Sequence, residues 1–176
     1  MVNTIFIMDE HLKVAKVLTV NGQNTFFDDL YTTDLSTGAE SYEFSTNVDD
    51  IEESDYVMFY YHNQYKLFQI TEIEQVHSEG EIITNIYGES ICLELLNNVV
   101  RPFEGEYSCI SFFQYVLQGT GWSIGEYSSS LSEKVIPIKV DKTTQIWTII
   151  QDYIGEFKYE INWKDTYSQI KYDNKH

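Results

Sequence analysis

The chain has 176 residues, 43% hydrophobic and 15% aromatic with two prolines, which suffices for one ordinary domain or two small ones and excludes wholesale disorder. Twenty-eight acids against eleven bases, with a single arginine among them, leave a net charge of −17. That balance argues against binding a nucleic-acid backbone through counterion release and against anchoring on an anionic membrane.

The first residues, MVNTIFIMDEHLKV, carry acids where a secretory signal needs bases, and the sequence holds no apolar run of membrane-spanning length. Cys92 and Cys109 show no CxxC and no Cys/His pairing at metal spacing. The expectation is a soluble protein made in a reducing cytoplasm, with two free thiols in or near the core. The acidity is uneven: residues 1–100 hold eighteen acids and three bases (Lys13, Lys16, Lys66), while residues 101–176 hold ten acids and eight bases. This break divides the chain into an acidic β module over 1–100, ending in a short helix, and a small α/β module over 101–176.

In chain order, Val14–Val20 is β-branched and closes on Asn21-Gly22, a strong turn signal. Asn24–Leu35 is polar and acidic with Phe26, Phe27, Leu30 and Tyr31 interspersed. Ala39–Phe44 alternates as a half-buried strand, and Asn47–Asp55 reads as a solvated connection. Tyr56–Tyr61, Tyr65–Val76 and Glu81–Tyr87 predict an antiparallel meander with polar loops of three and four residues. At Glu89–Asn98 the period changes to helical, with Ile91, Cys92, Leu95 and Leu96 on one face.

In the second module, Ser108 is placed to cap a helix Cys109–Gln118 with Ile110, Phe113 and Leu117 as its apolar face, stopped at Gly119. Gly121–Glu126 and Lys134–Val140 read as extended. A helix over Thr144–Ile154 follows, with the stripe Ile146, Ile149, Ile150, Tyr153 and Ile154, capped from Asp141 and Thr143–Thr144 and stopped by Gly155. Trp147 lies off the centre of that stripe and is the candidate exposed anchor for assembly. Phe157–Trp163 and Tyr167–Tyr172 read as a strand pair.

Chemistry is thinly supported. No GxSxG elbow is present, and His11, His62, His77 and His176 stand alone in loops or termini. Asp49-Asp50 with Glu52-Glu53 lacks the spacing of a calcium loop, and Gly119-Thr120-Gly121 follows a helix where a phosphate loop follows a strand. The reading is therefore no catalytic, cofactor-binding or metal-binding residue. The aromatic run Tyr56–Tyr61 is assigned to the core in preference to a sugar platform.

The order of pieces carries a resemblance. The stretch Ile86–Gly125 (IYGESICLELLNNVVRPFEGEYSCISFFQYVLQGTGWSIG) is followed by Val135–Ile138, the helix Thr144–Ile154 and the strand Phe157–Trp163. This resembles the N-terminal region of siphophage tail-tip proteins, the tail-associated lysin or prophage endopeptidase tail family. The family's marks are a short helix, an Arg101-Pro102-Phe103 step, a helix ending Leu117–Trp122 with its Gly119-Thr120-Gly121-Trp122, and a second helix leading into Lys158–Trp163. The resemblance covers about residues 1–172 in order; the Gly119–Trp122 step is its most specific part.

The resemblance implies a baseplate-hub-like α+β fold, mainly antiparallel β: a tail-tube-like β-barrel module, then a small α/β module of two helices on a short sheet. It implies a structural role in a virion tail tip, where a homotrimer closes or extends the distal end of the tail tube during host-cell attachment. The expected partners are the distal tail protein and the tape-measure protein. The expected cofactor set is none, and DNA passes through without being bound. The chain stops where the family's second tube-like domain begins, and the family's peptidoglycan-degrading part lies further C-terminal, so no enzyme activity is expected. An acidic DNA-mimic inhibitor and a cell-wall hydrolase or carbohydrate-binding module are the alternatives.

Overall fold

Runs of β-branched and aromatic residues punctuated by Asn, Asp and Gly build a seven-stranded antiparallel sheet from the first half of the chain. Its strands are β1 (Thr4–Met8), β2 (Val14–Thr19), β3 (Phe26–Thr33), β4 (Glu40–Thr46), β5 (Tyr56–Tyr61), β6 (Gln64–Ser78) and β7 (Glu81–Ser90). Side by side they run β2-β1-β5-β6-β7-β4-β3. This is a computed structural model, and it describes residues 2–34, 37–78, 80–125, 127 and 129–158. The chain divides into two compact units, one within residues 1–92 and one within residues 93–161.

The sheet curls into a half-barrel. Its two edge strands touch at one corner, where Thr19 and Thr25 form a parallel bridge and the Thr19 N–H donates to the Asn24 carbonyl at 3.0 Å. One face carries the core: Ile5, Ile7, Leu18, Phe26, Tyr42, Phe44, Val57, Phe59, Phe68, Ile70 and Ile86. Its centre is aromatic, with Phe59 stacked on Phe68 at 5.5 Å and tilted against Tyr42 at 4.3 Å. A smaller cluster of Met8, Met58 and Leu67 occupies the other face of β1, β5 and β6.

The meander β5–β6–β7 forms as the alternation requires. Its first turn is tighter than expected: His62 and Asn63 alone join β5 to β6, both at positive φ (45° and 63°), the backbone of a two-residue hairpin turn. Asn21-Gly22 turns the chain without making a hairpin, because β2 pairs with β1 and β3 pairs with β4. Asn47–Asp55 is a connection, yet Val48 and Ile51 dip into the core. The short helix is a 3-10 turn, Ile91–Leu96, with Cys92 and Leu95 fully buried.

In the second unit, β8 (Val99–Val100) pairs with β11 (Thr144–Gln145), and β9 (Phe103–Ser108) pairs with β10 (Val135–Val140). Helix α1 (Cys109–Val116) begins at the expected cap: the Ser111 N–H donates to Ser108 Oγ at 3.2 Å, and the Ser108 N–H donates to Ser111 Oγ at 2.9 Å. The buried line along α1 is Cys109, Phe112 and Val116, with Ile110 and Leu117 flanking; Phe113 is only half-buried. Gly121–Gly125 forms no strand, and Ser129–Ser132 is a 3-10 turn.

Helix α2 (Ile146–Phe157) starts and ends later than the periodicity suggests. Thr144–Gln145 is held in β11, so the Ile146 N–H is satisfied by the Asn98 carbonyl at 2.8 Å, and Gln145 makes no side-chain cap. Gly155 is accommodated inside the helix, which stops where Lys158 turns left-handed at φ 62°. Phe157 is therefore the last helical residue and packs on Phe112 at 5.8 Å; Phe112 also meets Tyr153 at 5.6 Å. The remainder of the expected strand pair, 159–163 with Tyr167–Tyr172, lies outside the described residues.

Candidate functional site

Residues on the sheet face opposite the main core are set by cross-strand register. On β7 the alternation sends Thr84 and Ile86 inward and leaves Asn85, Tyr87 and Glu89 on the outer side. Directly opposite Tyr87 stand Glu43 of β4 and Glu72 of β6, and Glu89 follows two residues along β7. One step away, Asn85 accepts from Ser45 Oγ at 2.8 Å and donates to Glu74 Oε2 at 3.3 Å. Four carboxylates thus stand on three adjacent strands around one tyrosine. Partial burial raises the Tyr87 hydroxyl pKa, a hydrogen bond with Ser41 opposes this, and the charges of Glu89, Glu43 and Glu72 add to the rise. The β6 bulge between Ile70 and Glu72 puts Glu72 and Glu74 on this face.

The core face has its own charged group. Lys66 Nζ lies 2.6 Å from Glu40 Oε1, and the same oxygen accepts the Tyr31 hydroxyl at 2.6 Å. The two charged side chains are only 10% and 12% exposed. Burial pulls the Lys66 pKa down, but the hydrogen bond and charge of Glu40 outweigh it and the net shift is upward. Glu40 Oε1 thus holds Lys66 and Tyr31 together on the core side of the sheet.

The residues singled out from sequence are dispersed. His11 sits 3.7 Å from Glu10 in the β1–β2 turn, His62 packs its ring 4.2 Å from Tyr61, and His77 lies in β6 opposite Ile82. His176 lies outside the described residues. Asp50 pairs with Lys16 at 3.0 Å, and Asp55 accepts the Glu52 N–H at 3.1 Å as a local turn. Among the described residues no group of three or more His, Cys, Asp or Glu could hold a metal ion. Cys92 and Cys109 are both buried and outside any disulfide, and burial raises the Cys109 thiol pKa. Among the described residues no helix is long and apolar enough to cross a membrane.

Trp147 does not stand on an exposed face. Only 9% of its surface is accessible, because the apolar side of α2 is wide enough to take residue 147, three before Ile150, as well as the Ile146–Ile149–Ile150 stripe. Gly119 and Gly121 both hold positive φ, 82° and 87°, after α1, and Thr120 ties the turn by donating from Oγ1 to the Leu117 carbonyl at 2.8 Å. Trp122 then donates from Nε1 to Glu94 at 2.6 Å. An open groove of about 500 Å³ runs here between Phe113, Leu117, Trp122 and Ile124. The exposed pair Tyr60 and Tyr65 meets edge to face at 62°, so it offers no flat platform.

The signal missed from sequence is the pair of sheet edges. Strand β2 exposes Val14 and Val17, and β3 exposes Phe27 and Leu30. An alternation count over Asn24–Leu35 that allowed one bulge would have found β3, whose register shifts between Phe27 and Leu30.

No protein-family model matches the chain, and no curated protein matches it. Among solved structures it is similar to the prophage tail protein gp18 of Listeria monocytogenes, with a TM-score of 0.60 and 12% identity over 86% of this chain and 45% of that one. A tail protein of Neisseria meningitidis aligns at a TM-score of 0.43 and 11% identity, over 65% of this chain and 33% of that one. The chain thus spans under half the length of the Listeria protein and shares its fold: mainly antiparallel β, a curled half-barrel sheet and two small helices.

Proposed function

We propose that this chain is a structural component of a bacteriophage or prophage tail, placed at the tail tip or baseplate hub, where it closes or extends the distal end of the tail tube. The observation that carries the reading is the fold shared with a prophage tail protein over 86% of the chain. In this reading residues 1–100 form a tail-tube-like module and residues 101–176 a small α/β module. Three copies form the working unit and meet the distal tail and tape-measure proteins. The outer face bearing Glu43, Glu72, Glu74 and Glu89 lines the passage. Carboxylates fixed on strands repel phosphate over about a Debye length, ~8 Å at physiological salt, so DNA passes and is not retained.

The test is immunogold electron microscopy of virions with an antibody against the chain. Label at the distal tip of the tail is expected. Label along the whole tube would refute the tip assignment, and virions free of label would refute the tail role. One observation also suits a DNA mimic: Glu43, Glu72 and Glu74 are exposed and Glu89 is half-buried beside them. That reading requires salt-sensitive inhibition of a nucleic-acid enzyme by the isolated chain, and the tail reading requires none.

A further inference from the structure

We propose that copies of this chain join head to tail through their sheet edges, the β2 edge of one pairing with the β3 edge of the next; this deepens the oligomer of the proposed tail role by naming its contact. Both strands are terminal in the seven-stranded sheet. Apart from the corner bridge between Thr19 and Thr25, each has a ladder partner on one side only among the described residues.

Three features select this pairing. The first is facing. Val14 and Val17 on β2 stand opposite Met8 and Phe6, on the side away from the main core, and are 49% and 43% exposed. Phe27 and Leu30 on β3 stand opposite Ser45 and Glu43, on the same side of the sheet, and are 37% and 55% exposed. Joining the edges makes these four apolar side chains cross-strand neighbours and removes them from water.

The second is charge. Residues 1–100 contain only three bases. Lys66 is buried, and the other two, Lys13 and Lys16, mark the β2 edge. Lys16 is shared with Asp50, and Lys13 is exposed just ahead of the strand. The β3 edge carries Asp28 and Asp29, both exposed. A β2–β2 contact would set lysine against lysine and a β3–β3 contact aspartate against aspartate, whereas β2–β3 sets opposite signs together. Charge therefore disfavours a two-fold dimer and favours a heterologous contact, which repeats from copy to copy and closes into a ring when its rotation permits.

The third is direction. Every neighbouring pair in the sheet is antiparallel and there are seven strands, so β2 and β3 run the same way. Copies related by a rotation about an axis along the strands meet in a parallel pair, the same sense as the Thr19–Thr25 bridge within one copy.

Sedimentation velocity of the full chain over a concentration series at low salt tests this. The wild type is expected to associate. Val17→Glu and Leu30→Lys, both at exposed positions, are each expected to weaken association at least about tenfold. The double variant Val17→Glu/Leu30→Lys is expected to recover association, because each copy then offers glutamate on one edge and lysine on the other. Circular dichroism confirms that the variants keep the sheet. A wild type that stays monomeric throughout the series, or an oligomer that neither variant weakens, overturns the proposal. Unlabelled virions from a chain that does associate by its edges would instead sink the tail role and leave this contact standing.

Discussion

Replacing Lys66 by methionine removes the cation from a carboxylate that the fold has taken out of water. Glu40 and Lys66 are 12% and 10% exposed and meet at 2.6 Å. Breaking a buried pair from one side costs about 3–5 kcal/mol, since the remaining charge is desolvated and uncompensated. Tyr31 still donates to Glu40 at 2.6 Å, which places the expected loss near the lower end, about 3 kcal/mol. That is a large share of the ~5–15 kcal/mol stability of an ordinary domain. Removing both charges should be far milder than removing one. Lys66→Met with Glu40→Leu still leaves the Tyr31 hydroxyl without its acceptor, at about 1–3 kcal/mol, so adding Tyr31→Phe should return stability close to the wild type.

The assay is urea unfolding at pH 7 followed by far-ultraviolet circular dichroism. With a slope of about 1.5 kcal/mol per molar urea, a loss of 3 kcal/mol moves the midpoint by about 2 M. Trp122 and Trp147 lie in the second unit, so in a Trp163→Phe background tryptophan fluorescence follows that unit as an internal control. A Lys66→Met variant within about 0.5 kcal/mol of wild type, or a triple variant no better than that single one, would refute the reasoning that the pair is desolvated and specific.

Phe112→Ala should cost about 3–5 kcal/mol in the second unit, because its fully buried ring joins α1 to Tyr153 and Phe157 of α2; a fluorescence-detected melt that does not move would remove it from the core. Gly88→Ala should destabilise the sheet by about 1–3 kcal/mol, since an added Cβ would lie 3.1 Å from the Phe68 Cβ and 3.3 Å from the Gln69 carbonyl oxygen; an unchanged urea midpoint would show that β6 yields there without cost. Stability should fall at alkaline pH. Burial, then the nearby Asp29, raises the Tyr42 pKa; burial and the Glu40 hydrogen bond raise that of Tyr31; and Lys66 is raised against its burial by Glu40. All three bind their proton more tightly when folded, so their contribution is complete below about pH 10 and is lost as pH climbs through the shifted values. A urea midpoint that stays flat from neutral pH to beyond about pH 10.5 would contradict these environments.

The strands β5, β6 and β7 were legible because their residues alternate and their turns are local: Tyr56–Tyr61 forms over the residues that the pattern indicates. The cap at Ser108 was legible for the same reason, since Ser111 completes it three residues away. Strand β1 is five residues at the start of the chain, and β3 breaks its own alternation at the Phe27–Leu30 bulge, so neither announced itself. Helix α2 ran past Gly155 because Phe157 found Phe112 to pack on, and tertiary burial outweighed the glycine's local preference to stop. The composition determined that the first hundred residues are acidic, and alternation determined which residues of β7 share a face. Which carboxylates gather around Tyr87 and which lysines mark an edge were decided by pairings between strands, some of them joining residues more than forty positions apart, such as Glu43 and Tyr87. Such pairings depend on strand order, and strand order is set by what the whole sheet can bury, for which no short stretch of sequence carries a signal.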